Sequence, residues 1–357
     1  MDFLAKIREN NKTHVVDKAQ LQSLIARADG IFKQNFPQET YFERSIFINW
    51  TCAIADCKYC FLSTKPKHDP RKKPTAIRSQ ESILAEALVC KVMGWKIGYI
   101  TGGLRVESTE YFISLISKIN KITEEKIMMN FGPYAKSEIV TLKPHISGMG
   151  SAIESFDEDL HSFICPSKPL KSLMTFLGNL KDQGLQKLIT IILGIGERKE
   201  DAEIVIQKIS QYNIEKVQLC FLKAQEKTIF NDVPPPNPEY MAWWIATLRT
   251  GCPKLDIKVA LVRERVGDVE LYLNAGANGF SRFMVFSDFD SEYAKELEEG
   301  CVRAGRTLRG HFTSLPDVDI AKAVDQLPFD EELKQKILPK AKQYYQKLVP
   351  SGINMEY

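Results

Sequence analysis

The sequence predicts an α/β protein built on a (β/α)8 TIM-type barrel, on three observations. Eight short apolar runs recur along the chain, at 45–49, 97–101, 126–131, 145–149, 187–193, 215–222, 256–262 and 279–285. Segments of helical periodicity separate most of them, and strand alternating with helix builds a parallel sheet that closes on itself. The chain has 357 residues, 44% of them apolar, enough for one large barrel with a sizeable core. The expected organisation is a helical extension over 1–44, the barrel over 45–315 and a helical tail over 316–357.

In order along the chain, residues 14–35 read as an amphipathic helix in the extension. The run at 45–49 is the first strand. Ser79 is a plausible N-cap for a helix over 79–94, with Glu81 and Ser82 in its first turn. Further helical patterns fall at 108–121, 135–142, 156–163, 169–183, 200–212, 238–250 and 267–275. Pro234-Pro235-Pro236 lies in a long loop after the sixth strand, where a lid or substrate loop would sit. Residues 291–305 and 329–347 read as closing helices. In such a barrel, chemistry belongs at the C-terminal ends of the strands.

Composition narrows the function. A net charge of +3 is too small to imply a nucleic-acid surface. Lys65, Lys67, Arg71, Lys72 and Lys73 make a local basic run, read either as a solvated loop or as a dock for an acidic electron donor or anionic substrate. No run of 18 apolar residues exists, so no membrane span is expected. The start, Met1 to Lys6, does not read as a signal peptide, and a cytoplasmic, reducing location follows.

The densest signal is Cys52 to Cys60, on the loop leaving the first strand, which holds three of the eight cysteines: Cys52, Cys57 and Cys60. Three thiolates on one loop can hold three irons of a [4Fe-4S] cube and leave the fourth iron open. A zinc site would want a fourth ligand in pairwise spacing, and buried free thiols are the plainest alternative. A disulfide framework does not suit a chain this large without a secretory signal.

This stretch resembles the cluster loop of the radical S-adenosylmethionine (SAM) superfamily, where the usual spacing is C-x3-C-x2-C with an aromatic residue before the third cysteine. Tyr59 fills the aromatic place, but four residues separate Cys52 from Cys57 in place of three. Other strand ends carry further likenesses to the biotin synthase branch. Gly102-Gly103 resembles the turn whose backbone binds the amino group of SAM, with Leu104 in place of the usual acid. Glu154-Ser155 after the fourth strand resembles the acid that meets the ribose; alone, Glu154 reads equally as a helix N-terminal acid. Lys171 is the best match for the cation that grips the SAM carboxylate, with Lys168 as the alternative. Gly194-Ile195-Gly196-Glu197 resembles the turn after the fifth strand, and Ala275-Gly276-Ala277-Asn278 a turn shared with HydE and methylornithine synthase.

The resemblance implies a [4Fe-4S] cluster, SAM as cofactor, reductive cleavage of SAM to a 5′-deoxyadenosyl radical, and a donor such as ferredoxin or flavodoxin, under anaerobic conditions. Arg263 matches an arginine that holds an auxiliary cluster in biotin synthase. Here cysteines to complete one are missing from the other strand ends, so Arg263 is expected in the cavity, gripping an anionic substrate by its bidentate fork, with a salt bridge to Glu264 or Asp268 as the alternative. Cys220 is expected beside it as a pocket thiol or an auxiliary ligand, or else as an inert buried thiol. The widened first gap is a feature of the maturase that helps make the iron-guanylylpyridinol cofactor of [Fe]-hydrogenase, the leading expectation within cofactor biosynthesis. Lipoyl-synthase-type sulfur insertion and a non-enzymatic iron-sulfur scaffold or carrier are the alternatives.

Overall fold

The computed structural model describes residues 3–67, 69 and 76–349. Arg71, Lys72 and Lys73 of the basic run, and the last residues of the tail, lie outside the described residues. The strands are β1 (Glu39–Phe47), β2 (Lys96–Thr101), β3 (Met128–Asn130), β4 (Gly148–Glu154), β5 (Gln186–Leu193), β6 (Lys216–Phe221), β7 (Asp256–Ala260), β8 (Gly279–Ser281) and β9 (Thr307–Arg309). The helices begin with α1 (Phe3–Lys12), α2 (Lys18–Asn35), α3 (Gln80–Val92), α4 (Thr109–Thr123) and α5 (Lys136–Leu142). They continue with α6 (Glu158–Ile164), α7 (Leu170–Asp182), α8 (Asp201–Tyr212), α9 (Pro238–Gly251), α10 (Val269–Asn274), α11 (Val285–Asp288), α12 (Glu292–Arg303), α13 (Ile320–Asp325) and α14 (Glu331–Gln346).

Strands β1 to β8 pair in parallel and in order, and β1 pairs with both β2 and β8, which closes the barrel. The fold is the expected (β/α)8 barrel. A ninth strand that the apolar pattern did not show, β9, pairs with the start of β1. The first strand starts at Glu39, before the expected boundary, because Tyr41 and Phe42 continue the strand that begins ahead of Ser45. Strand β4 falls later than its apolar run: Lys143–His145 is a short 3-10 turn, and the strand is built from Gly148, Gly150 and Ser151. Those small residues are required by contact, since a Cβ on Gly148 would overlap the Gln186 carbonyl of β5.

Side-chain caps fix several helix starts. Asp17, Ser108, Asp157 and Asn237 accept from backbone N–H groups in the first turns of α2, α4, α6 and α9. Ser79 stands at the N-cap position of α3 but makes no such side-chain bond. Helix α3 is apolar nearly all round because the barrel covers one side and α14 the other.

Register gives the layers of the barrel interior. At the lower end Glu43, 1% exposed, meets Lys258 on one oxygen, and Lys96 (3.3 Å) and Lys216 (3.8 Å) on the other. Above it Tyr99, Met128 and Leu188 form an apolar floor, and the Tyr99 hydroxyl donates to Gln218 Oε1 at 2.9 Å. Beyond that floor lie the C-terminal ends of the strands, the face carrying the cysteine loop.

Candidate active site at the barrel mouth

The loop leaving β1 is tied down on both sides. Toward β2, Ile48 N–H donates to the Thr101 carbonyl (2.8 Å), Gly103 N–H to Asn49 Oδ1 (2.7 Å) and Ala53 N–H to the Leu104 carbonyl (3.0 Å). Leu104 N–H points at Cys52 Sγ, 3.3 Å away. Toward the α6–α7 connection, Lys58 N–H donates to the Ile164 carbonyl (2.8 Å) and the Ser167 hydroxyl to Asp56. Ala55, at φ +38°, turns the chain between Cys52 and Cys57. Cys52 is buried, Cys57 and Cys60 half-buried. Cys57 packs against the buried cluster that contains Cys165.

Next to this loop stands a second group. Glu154, 1% exposed, ends β4 in a left-handed conformation, φ +67°. Lys168, 5% exposed, places Nζ 2.9 Å from Glu154 Oε1 and 2.6 Å from the Ala152 carbonyl. The Tyr59 hydroxyl donates to the same Oε1, and among the described residues no protein group bonds Oε2. His161, fully buried, bridges the strand exit to this lysine: Nδ1 lies 2.9 Å from the Ile153 carbonyl and Nε2 2.7 Å from that of Lys168. Burial opposes the Lys168 cation, but Glu154 outweighs it and raises the pKa. Burial and then Glu154 push the Tyr59 phenol up, so Tyr59 is a donor at neutral pH.

The third group lines the interior. Cys220, 2% exposed, faces inward on β6, with Gln218 Nε2 at 3.6 Å. Arg282 follows β8. Strand alternation from inward-facing Ser281 would send it outward, but φ +64° turns it back. By surface area the residue is exposed. Burial opposes its cation, but the neighbouring Cys220 and Tyr99 outweigh this and raise the pKa.

The family model of the radical SAM superfamily matches residues 51–209, from the cysteine loop through α8. An uncharacterized protein of Methanocaldococcus jannaschii is 30% identical over 325 residues, 88% of each chain. Biotin synthase of Thermotoga neapolitana is 28% identical over 231 residues, 63% of this chain and 81% of the relative. The chain belongs to the radical SAM superfamily. Solved structures agree at the level of fold. Methylornithine synthase (PylB) has a TM-score of 0.65 at 19% identity, covering 77% of this chain and 82% of its own. The [FeFe]-hydrogenase maturase HydG of Carboxydothermus hydrogenoformans has 0.68 at 14%, covering 97% and 90%. The chain is thus a radical SAM enzyme of the biotin synthase type, and members of this family use a [4Fe-4S] cluster and SAM.

The thiols fit such a cluster. The neighbouring Cys165 lowers the Cys57 pKa first; burial opposes this and the Lys168 cation adds to it, so an anionic sulfur is favoured. The Leu104 N–H supplies a donor to the sulfur of Cys52, the kind of contact that tunes cluster potential. Cys60 is pushed up to about 11 by burial, a penalty that bonding to iron would relieve. Among the described residues no group of three or more His, Cys, Asp or Glu gathers closely enough for a single metal ion.

Several expected roles move. Lys171 is exposed in the first turn of α7, and the buried cation beside Glu154 is Lys168. Gly102 and Gly103 press on the cluster loop, where a Cβ on Gly103 would overlap the Thr51 carbonyl, and Asn49 already takes the Gly103 N–H. Gly194 and Gly196, at φ +97° and +116°, turn their N–H groups onto the Glu197 carboxylate, and their carbonyls accept from Asn11 and Asn10 of α1. Arg263 lies in the 3-10 turn Arg263–Asp268 with its side chain 45% exposed, paired with Asp288 and set over the Tyr293 ring. The chain leaves β7 before Arg263, and Arg282, after β8, is the arginine beside Cys220. Asn49, His161 and Arg282 drew no role from the sequence. Only a residue count from inward-facing Cys220 through the paired strands would have approached Arg282, and its left-handed backbone defeats that count.

Proposed function

We propose that Cys52, Cys57 and Cys60 hold the cluster, that Lys168 and Glu154 hold SAM, and that Arg282 holds an anionic substrate in the interior. When bound, the cluster supplies the electron that cleaves SAM. The observation that carries the reading is the half-used carboxylate of Glu154: Oε1 is engaged by Lys168 and Tyr59, while Oε2 is left to accept ribose hydroxyls. The Lys168 ammonium then presents its charge to the SAM carboxylate, and His161 keeps both groups in place through the backbone.

Arg282 is a cation for which no carboxylate partner is found among the described residues, with Cys220 and Tyr99 beside it. A cation in such a place seeks an anionic partner, and a carboxylate or phosphate on the substrate supplies it. Cofactor biosynthesis fits this chemistry. Pyridinol formation for the [Fe]-hydrogenase cofactor draws support from the four-residue gap between Cys52 and Cys57. Sulfur insertion draws less, because Cys90 and Cys301 lie in α3 and α12 and Cys252 follows α9, away from the mouth.

Anaerobic reconstitution followed by iron and sulfide counts tests the frame: four of each supports one cluster, and eight revives sulfur insertion. Arg282→Leu is expected to keep the cluster and reductant-driven SAM cleavage while losing turnover of the anionic substrate. Equal turnover in Arg282→Leu, with loss in Arg263→Leu, would restore the original assignment.

A further inference from the structure

Asn49 stands between β1 and the first cysteine, 1% exposed. Its Oδ1 accepts Gly103 N–H at 2.7 Å, and this fixes which way round the amide lies, because a backbone N–H needs an acceptor. Nδ2 is then the free end, and among the described residues no group accepts from it. A buried donor without an acceptor is destabilising until a ligand or a water completes it. The surroundings are shaped to this amide. A Cβ on Gly102 would stand 2.8 Å from Oδ1 and 3.1 Å from Nδ2, so glycine is what lets the amide lie against the turn. On the outer side the Asn49 backbone bridges to Ile77, while Trp50 N–H donates to the Ala76 carbonyl and Arg78 N–H to the Ile48 carbonyl, both at 2.8 Å. The residue after Gly103 is Leu104, whose N–H points at Cys52 Sγ. One side chain therefore holds the turn that brings a donor to a cysteine sulfur, and carries a second donor of its own three residues before that cysteine.

We propose that Asn49 tunes the cluster: Oδ1 holds the Gly103–Leu104 turn so that Leu104 N–H stays on Cys52, and Nδ2 donates to a further sulfur of the cluster. This rests on the three-cysteine reading above. The acceptor is a sulfur and not the SAM carboxylate, because that anion is assigned to Lys168, on the α6–α7 side of the loop, whereas Asn49 is bonded to the β2 side. Reduction adds negative charge to the sulfurs, so donors aimed at them favour the reduced state and make the potential less negative. No covalent bond changes and no proton leaves Asn49.

The test compares wild type, Asn49→Asp and Asn49→Ala after anaerobic reconstitution, without SAM, by redox titration followed through the paramagnetic signal of the reduced cluster. Asn49→Asp keeps the acceptor for Gly103 N–H and removes the donor, so it isolates Nδ2. Its ratio of reduced to oxidised cluster at a fixed potential should fall about tenfold, equivalent to about 59 mV for one electron. Asn49→Ala should also fall, since it loses that donor and releases the Leu104 turn as well. Equal potentials in all three proteins overturn the proposal. So does a shift in Asn49→Ala alone, which would make Asn49 a prop for the turn and nothing more. Electron–nuclear double resonance on wild type carrying nitrogen-15 in its asparagine side chains gives a check independent of variant folding. A nitrogen-15 coupling to the reduced cluster is expected without SAM. No coupling sinks the idea, and a coupling that arises only once SAM is added sinks it by giving Nδ2 to SAM. If wild type takes up no four-iron cluster at all, the three-cysteine reading itself falls; with the cluster in place and no coupling, only the role of Asn49 does.

Discussion

Glu43 and Glu154 are equally buried, 1% exposed each, at opposite ends of one barrel, and their surroundings are opposite in kind. Glu43 has lysines within ion-pair distance of both oxygens, Lys258 on one and Lys96 and Lys216 on the other, although the second oxygen makes no hydrogen bond. Burial alone would raise its pKa, but the three lysines bring it down to about 2. Glu154 has a single lysine and a phenol, both on the same oxygen. The lower carboxylate is neutralised in place and closes the barrel floor. The upper one is half-satisfied, and its second oxygen is available to a ligand. Burial does not separate the two carboxylates; the number of cations around each does, three lysines at Glu43 and one at Glu154.

The largest effect expected belongs to the mouth alone. Replacing Cys52, Cys57 and Cys60 together with alanine should give a folded, colourless protein; brown absorbance that survives intact would end the assignment. At the floor, Glu43→Ala should cost on the order of 3–5 kcal/mol of unfolding free energy, because it strands buried lysines. Denaturant titration measures this, and a loss comparable to a surface mutation would erase the contrast between the two ends. Glu154→Gln should leave stability closer to wild type but weaken SAM binding by about 1–3 kcal/mol in calorimetry. Unchanged affinity would remove Glu154 from the site. Lys168→Met should weaken SAM similarly, whereas Lys171→Ala should change neither binding nor stability by more than about 0.5 kcal/mol. The pH effect is smaller and sharpens the floor side only. The folded pKa of Glu43 lies below its ordinary value of 4.5, so its contribution is complete above that value and fades as pH falls toward about 2. Acid titration of Glu43→Gln should lack that component of the slope; an unchanged slope would contradict the pairing.

The barrel was legible because alternation of apolar runs and helical segments is a local pattern repeated eight times. Small-residue segments hid from it: Gly148–Glu154 is a strand by contact with β5, not by hydrophobicity, and Thr307–Arg309 is too short and polar to read. At the site, what sequence spacing could show was the set Cys52, Cys57 and Cys60 on one loop and Glu154 at a strand end. Lys168 and Lys171 are chemically alike and three residues apart, and only the turn ahead of α7 decides which is buried. Arg263 and Arg282 were separated by backbone geometry: the chain turns off β7 before Arg263, and the left-handed residue after β8 turns Arg282 inward. Neither event has a signature in residue type.

Helix α1 has a consequence in time. Its Ile7 is buried against Gly196, and Asn10 and Asn11 bond the carbonyls of Gly196 and Gly194, partners 186 and 183 positions later in the chain. A nascent chain makes α1 first and its dock much later, and contacts so distant in sequence form late. During synthesis, then, the cysteine loop emerges and β1 to β4 can assemble while the segment that seals the β5 turn still hangs free.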